Sequence, residues 1–138
     1  MGKHAIIVIK NSRDEYLQYF DKIWNSYLFL NCKLETNFLD EVIYHVSQQL
    51  DIDIKNIEAK YIGDKIHTKF SEKSKIDKQY HHYFYEIKVN SFPEYLNNKE
   101  FVFNGKQYYW YSMNELEKDE RIQKVNSDVI NYVKEFKI

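Results

Sequence analysis

The sequence predicts a single α+β domain in which two helices pack on a β-sheet. Its 138 residues match the usual length of one domain, and a hydrophobic content of 43% is enough for a core. Two segments, about 38–50 and 120–136, repeat apolar residues at helical intervals. The other apolar runs are short, rich in β-branched or aromatic residues and separated by polar turns, which predicts the order β, β, β, α, β, β, β, α.

Composition narrows the classes of partner. A formal net charge of −1 provides no field that would attract nucleic acid or an acidic membrane. The single Cys32 excludes an internal disulfide framework and fits a reducing compartment. No apolar run approaches the roughly 18–20 residues of a membrane span, and the amino terminus lacks the order of a signal peptide. We therefore expect a cytoplasmic protein that spans residues 1–138 as one domain and binds neither nucleic acid nor membrane.

Three short apolar runs predict the first strands, at residues 4–10, 16–20 and 27–30. The polar turn at residues 11–14 makes the first two a hairpin. Only three Gly and one Pro occur in the chain, so we expect its turns to use Asn, Asp and Ser, whose side chains form turns themselves.

The first helix is predicted at residues 38–50 from the spacing of its apolar residues. These residues are expected to line one face: Leu39, Val42, Ile43, Val46 and Leu50. The opposite face is polar: Asp40, Glu41, Tyr44, His45, Ser47, Gln48 and Gln49. No Gly follows the helix, so Asp51 or Asn56 is expected to adopt the left-handed cap conformation.

The second half of the chain predicts three further strands and a terminal helix. Strand character extends over residues 56–70, with a break at Gly63, and over 79–90 and 107–111. The charged segment 71–78 is interpreted as a solvated, mobile loop, and 92–103 as an irregular excursion around the only proline. Ser112 and Glu115 have capping-box spacing ahead of the carboxy-terminal helix.

Four segments resemble elements of one known family: NCKLETN, YHVSQQLDI, YHHYFYEIKV and QYYWYSMNEL. In this order and spacing the chain resembles the Nudix family over about residues 4–136. Lys33, Leu34 and Glu35 match the entry of the family's helix motif, and Val46 and Ile52 match its aliphatic exit positions. The resemblance implies an α/β/α sandwich with a mixed sheet, and in the active family members a metal-dependent pyrophosphohydrolase.

The charged part of the motif is absent. Tyr44 and His45 replace the family's Arg-Glu pair, and Gln48 and Gln49 replace its Glu-Glu pair. Asp51 stands in place of the Gly that follows, and Asn31 and Cys32 stand in place of the glycines at the entry. Mg²⁺ prefers carboxylate oxygens, which neutral amides replace poorly. The resemblance therefore implies a degenerate Nudix domain that has lost pyrophosphohydrolase activity, requires no cofactor, and binds a nucleotide derivative or a protein partner.

Two other functions are compatible with the same residues. One is an active Nudix hydrolase with Mg²⁺ or Mn²⁺ in a non-standard site, with Glu35, Glu41 and His45 as catalytic candidates and Glu86 as a further ligand. Glu41 and His45 are four residues apart on one helix face and are the metal-ligand candidates, also for a transition metal. The other is a structural role, with aromatic edge strands forming a homodimer.

Ligand-binding candidates combine the polar helix face with late aromatic residues, which can stack on a base. They are Lys33, Tyr44, Gln48, Gln49, Tyr83, Tyr85 and Trp110. His81 and His82 are adjacent in a predicted strand and should point to opposite faces, so with His67 they are expected to have structural roles. Cys32 is expected to be a buried small hydrophobe rather than a reactive thiol.

Overall fold

In the computed structural model, which describes residues 2–138, seven strands form one sheet between two helical layers. The strands are β1 (Gly2–Ile9), β2 (Glu15–Asp21), β3 (Ser26–Lys33), β4 (Ile57–Phe70), β5 (Asp77–Val89), β6 (Glu100–Phe103) and β7 (Lys106–Ser112). The helices are α1 (Phe38–Leu50), α2 (Met113–Lys118) and α3 (Glu120–Glu135). The strand order is β4-β5-β1-β3-β2-β7-β6, and β1 with β5 is a parallel pair in an otherwise antiparallel arrangement.

Alternation along β1 builds a core on each face of the sheet. Ala5 and Ile7 are fully buried in the cluster that contains α1, while Ile6 and Val8 lie in the cluster that contains α2 and α3. Because successive side chains of a strand point to opposite faces, an uninterrupted apolar run such as this one is buried on both sides. The mixed sheet with helices on both faces confirms the predicted α+β sandwich.

Helix α1 has the predicted bounds and most of the predicted apolar face. Val42, Val46 and Leu50 are fully buried against the sheet. Leu39, however, is 43% exposed, so its assignment to the buried face is wrong. The fourth residue buried in this helix is Ser47, whose hydroxyl donates to the Ile52 carbonyl at 2.6 Å. This hydrogen bond satisfies the hydroxyl and turns the chain after the helix.

The turns use Asn and Asp as the scarcity of glycine predicted. Asp51 ends α1 with φ 52° and ψ 51°, which confirms it as the left-handed cap. Asp14, Asn25 and Asn104 also have positive φ. The capping box between Ser112 and Glu115 is present and begins α2, a separate short helix ahead of α3.

The structure differs from the sequence prediction in the region interpreted as irregular. Strand β6 lies within residues 92–103 and pairs with β7 from Glu100 to Phe103. Its four residues are too short for a periodic pattern, so pairing with β7 rather than local propensity defines it. Strand β3 also continues three residues past the predicted end, to Lys33. A bulge between Tyr61 and Gly63 accounts for the predicted break in β4.

Helix α3 is interrupted at Asn126, where φ is −139° and ψ is 20°. Beyond it the Asp128 side chain accepts a hydrogen bond from the Val129 N–H at 2.8 Å, and the helix continues to Glu135. None of the helices within residues 2–138 combines the length and the apolar character of a membrane-spanning segment.

Candidate functional site

A cavity of about 420 Å³ lies on the sheet face covered by α3. Alternate residues of four strands form its floor, because those residues share one face of the sheet. They are Gly2, His4 and Ile6 of β1, Phe29, Asn31 and Lys33 of β3, Lys69 of β4, and Lys78, Tyr80 and His82 of β5. Val125 and Asn126, at the interruption of α3, close the cavity from above.

The lining of this cavity is basic. It includes four lysines, Lys33, Lys69, Lys73 and Lys78, and no Asp or Glu among the described residues. Only Lys69 has a carboxylate partner within 4.0 Å in residues 2–138, namely Asp128. Burial lowers the pKa of His82 to about 3, which keeps its imidazole neutral. The positive charge at neutral pH therefore comes from the lysines, three of which are available to an anion.

Aromatic groups stand beside these lysines. The Trp24 and Tyr80 rings line the cavity, with centroids 6.4 Å apart in an edge-to-face arrangement. Asn31 and Asn126 add amide groups to the same wall. A cavity with aromatic walls, amides and unpaired ammonium groups suits a small molecule that carries both an aromatic ring and phosphate.

The loop between β4 and β5 also contributes to the cavity. Ser71 is only 2% exposed, and Lys73 and Ser74 line the space. The Ser71 hydroxyl accepts a hydrogen bond from the Ser74 N–H at 3.1 Å, which shapes the turn. Residues 73–78 are exposed, as expected for a solvated loop, but Ser71 is buried, the side of the loop at Lys73 and Ser74 lines the cavity, and β5 already begins at Asp77.

A second, smaller pocket of about 290 Å³ lies at the polar face of α1. Seven residues line it: Cys32, Lys33, Glu35, Glu41, Tyr44, His45 and Gln48. It thus brings together the predicted catalytic and metal candidates Glu35, Glu41 and His45. Lys33 lines both spaces, so the two pockets adjoin at the carboxyl end of β3.

In the smaller pocket Glu41 has structural partners. Its carboxylate accepts hydrogen bonds from the backbone N–H groups of Glu35 at 3.1 Å and Thr36 at 3.3 Å, which holds the turn that enters α1. Burial lowers the pKa of His45, and its buried Nε2 has no hydrogen-bond partner in the described residues. The neighbouring Gln49 donates its amide to the Tyr108 hydroxyl at 3.1 Å.

One set of three metal-ligating side chains occurs among the described residues, and it lies outside the smaller pocket. His67, His82 and Asp128 place one ligand atom each within 4.8 Å of one another. No set built on Glu41 and His45 meets this condition in residues 2–138.

The aromatic ligand candidates lie away from the larger cavity. Tyr83 contacts the Phe38 ring of α1 with centroids 5.1 Å apart, and Tyr85 is 3% exposed on the same face. Trp110 is fully buried and donates its indole N–H to the Leu96 carbonyl at 2.7 Å. Cys32 is only partly buried, packed against the core and in the lining of the smaller pocket. Burial and the nearby Glu41 raise the pKa of Cys32 to about 11, so it is a neutral thiol.

Sequence reasoning missed most residues of the larger cavity, including His4, Asn31, Lys69, Lys78 and Asn126. The alternation of side chains along a strand could have assigned each residue to one of the two faces of its own strand. It could not say which faces coincide, because that depends on the pairing of β1 with β3 and β5.

No family model matches the sequence, and no curated protein matches it. Solved structures do resemble its fold. C. elegans Ap4A hydrolase superposes with a TM-score of 0.61 at 11% identity, covering 99% of this chain and 96% of that one. A NUDIX hydrolase from Nitrosomonas europaea gives 0.57 at 13% identity, with coverages of 99% and 87%. A hydrolase of the NUDIX family from Clostridium perfringens gives 0.55 at 16% identity, with coverages of 98% and 94%. The chain has a Nudix-like fold.

Proposed function

We propose that this Nudix-fold protein binds a nucleotide-derived small molecule in the cavity on the α3 face and does not hydrolyse it by the magnesium-dependent route. The main support for this proposal is the composition of the cavity wall, which has four lysines and no carboxylate among its described lining residues. A carboxylate-free, lysine-rich wall attracts phosphate, and it would not hold Mg²⁺ unaided.

The dimensions support a ligand of nucleotide size. A volume of about 420 Å³ falls within the roughly 300–1,000 Å³ of ordinary small-molecule sites. Trp24 and Tyr80 offer ring surfaces, and base stacking on an aromatic side chain contributes about 1–3 kcal/mol. The name of the C. elegans neighbour refers to a dinucleoside polyphosphate, which directs the choice of probes toward nucleotides.

The arrangement at α1 supports loss of hydrolysis. Tyr44, His45, Gln48 and Gln49 supply no carboxylate to the polar face of this helix. Glu41 accepts backbone N–H groups, and Asp40 accepts the Asn37 amide at 2.8 Å. A metal that neutralises phosphate charge and activates water would find only Glu35 and Glu41 as carboxylates in the pocket at α1, and Glu41 is already held by backbone N–H groups.

Calorimetric titration tests the binding proposal, with ADP as the ligand and adenosine and inorganic phosphate as comparisons. We expect saturable ADP binding that is tighter than either comparison. Lys78→Gln, in the cavity wall, should weaken ADP binding about tenfold, the effect of roughly 1.4 kcal/mol from one phosphate contact. Lys88→Gln is the matched control, since Lys88 is exposed near the other end of the same strand. No ADP binding, or an equal loss in both variants, contradicts the proposal.

A hydrolysis screen tests the second half of the proposal. The protein is incubated with Mg²⁺ or Mn²⁺ and a panel of nucleoside diphosphate derivatives, and released phosphate and nucleoside monophosphate are measured. We expect no metal-dependent turnover. Turnover that disappears in Glu41→Gln would instead establish the alternative, an active hydrolase with a non-standard metal site.

A further inference from the structure

We propose that His67, His82 and Asp128 bind one divalent transition-metal ion, with Zn²⁺ the best match, beside the α3-face cavity, whose lining includes His82. The Nδ1 atoms of His67 and His82 are 2.9 Å apart, and His67 Nδ1 is 3.6 Å from Asp128 Oδ2. All three ligand atoms lie within 4.8 Å of one another. Two imidazoles and one carboxylate form a ligand set that suits zinc better than Mg²⁺ or Ca²⁺.

The topology places these side chains on one face. In the antiparallel β4–β5 pair, His67 lies opposite Tyr80, and His82 is two residues further along β5, on the same side. Asp128 comes from α3, two residues past the interruption at Asn126. Two strands and one helix thus supply one ligand each, so the site exists only in the folded domain.

The distances are close to those of a tetrahedral centre. Zinc bonds of about 2.0–2.2 Å at tetrahedral angles separate neighbouring ligand atoms by roughly 3.3 Å. Two of the three separations, 2.9 Å between the histidine Nδ1 atoms and 3.6 Å from His67 Nδ1 to Asp128 Oδ2, differ from this value by about 0.4 Å or less. The third separation, between His82 and Asp128, is at most 4.8 Å, and side-chain rotation on metal binding would have to close what remains. Binding requires the proton shared between the two Nδ1 atoms to leave, because a ligating nitrogen must have a free lone pair.

The two histidines are buried, so a metal ion could bind their ring nitrogens with little competition from water. His67 is 8% and His82 5% exposed, so their polar atoms have little access to water. Three protein ligands also leave the fourth zinc position for an exchangeable ligand, as in sites that are not purely structural. Of the three ligands, His82 lines the cavity, so the site lies next to the space that the lysines border. An anionic oxygen is the ligand class that fits the fourth position.

Lys69 is the competing group. Its Nζ donates to Asp128 Oδ1 at 3.0 Å and lies 2.9 Å from Oδ2. It also donates to Asn126 Oδ1 at 3.2 Å. Without a metal, the same residues form a His–His hydrogen bond beside a Lys–Asp ion pair. A cation at the site would be repelled by Lys69, so this residue distinguishes a metal site from a hydrogen-bonded network.

Zinc titration of the chelator-treated full chain tests the proposal. We expect one Zn²⁺ per chain by calorimetry, a rise in the melting temperature with added Zn²⁺, and a tetrahedral absorption spectrum with Co²⁺ as a substitute ion. Stoichiometric binding stabilises the folded form because the unfolded chain lacks the assembled site. Failure to bind Zn²⁺ at a defined stoichiometry would overturn the inference.

Variants locate the site. His82→Gln and Asp128→Asn should each weaken zinc binding by more than about 100-fold, since losing a ligand costs more than the 10–100-fold loss typical of an outer-shell partner. His81→Gln is the control, because His81 is the adjacent residue but contacts Asp64 at 2.5 Å on the opposite face. His45→Gln separates this site from the pocket at α1. Equal loss in His81→Gln, or loss in His45→Gln alone, assigns the metal elsewhere and refutes the proposal.

Lys69→Gln supplies a test in which all three proposed metal ligands are left intact. Removing the competing ammonium should tighten zinc binding several-fold, on the order of the 1 kcal/mol that a nearby charge contributes. Weaker zinc binding in Lys69→Gln would show that Lys69 supports the cluster and would contradict the metal site. These measurements use zinc alone, so their outcome is independent of nucleotide binding.

Discussion

At the scale of single residues, Glu15 shows how one buried carboxylate joins separate parts of the chain. It is 8% exposed and accepts hydrogen bonds from Asn11 at 2.9 Å, Arg13 at 2.8 Å and Lys99 at 2.6 Å. Lys99 also donates to Glu115 in α2 at 2.5 Å. Burial by itself raises the pKa of Glu15, but the three donors outweigh it and lower the pKa to about 2. The sequence gives no sign of this cluster, since Lys99 is 84 residues away.

Glu15→Gln should destabilise the fold in a pH-dependent way. At pH 7 we expect the free energy of unfolding to fall by about 1.5–3 kcal/mol, the usual contribution of hydrogen bonds to a charged group. Because the folded pKa lies below the ordinary value of 4.5, the stabilisation is complete above pH 4.5 and disappears as the pH falls toward 2.

Urea unfolding at several pH values measures this difference. Glu58→Gln is the control, since Glu58 is exposed and has no cation within 4.0 Å in the described residues. A wild-type advantage over Glu15→Gln that does not change between pH 7 and pH 3 would contradict the assignment.

At the scale of elements, β4 and α3 meet at a glycine. A Cβ added to Gly63 would lie 2.3 Å from the Tyr132 hydroxyl and 3.7 Å from its Cζ. The Tyr132 ring is stacked between Phe84, with centroids 3.9 Å apart, and Phe136, at 4.4 Å. The ring therefore has little freedom to move, and the small residue is required for packing rather than for backbone conformation.

Gly63→Ala should lower the free energy of unfolding by about 1–3 kcal/mol, the cost of overpacking a well-packed contact. Tyr132→Phe removes the clashing oxygen and leaves the added Cβ at ordinary contact distance, so it should restore most of the loss. A double-mutant cycle by denaturant unfolding measures this coupling. Additive effects of the two changes would show that the clash is not the cause.

The same scale shows where periodicity predicts structure and where it does not. Helix α1 and the capping box of α2 follow local rules, and both were predicted at their observed positions. Strand β6 was missed because four residues contain no readable period and are held by β7. The charge of segment 71–78 correctly indicated exposure for residues 73–78, but it could not show that Ser71 is buried or that Lys73 borders a cavity.

At the scale of the whole molecule, a chain with almost no net charge concentrates lysines around one cavity. The formal net charge is −1, yet four lysines line the larger cavity without a carboxylate in its described wall. Net charge therefore predicts weak long-range attraction but says nothing about a local anion site. The expectation from composition and the proposal of a phosphate-bearing ligand are compatible for this reason.

Because lysines form the proposed anion site, ADP binding should weaken with salt. Raising NaCl from about 50 to 300 mM shortens the screening length to below about 8 Å and should weaken binding on the order of fivefold. Calorimetric titration at each salt concentration measures the effect, and Lys78→Gln should show a smaller salt dependence than wild type. ADP binding that is independent of salt would indicate contacts other than the lysines.

The sequence by itself determined the α+β class, the position of α1, most strands and the use of Asn and Asp in turns. These features depend on local propensity and on the period of buried residues, which are properties of neighbouring positions. Only the tertiary structure decided which strand faces coincide, and so brought His4, Asn31, Lys78 and Asn126 around one cavity. It also joined His67 and His82 to Asp128 across 61 and 46 residues of sequence. Such sites depend on strand order and register, and no local pattern contains that information.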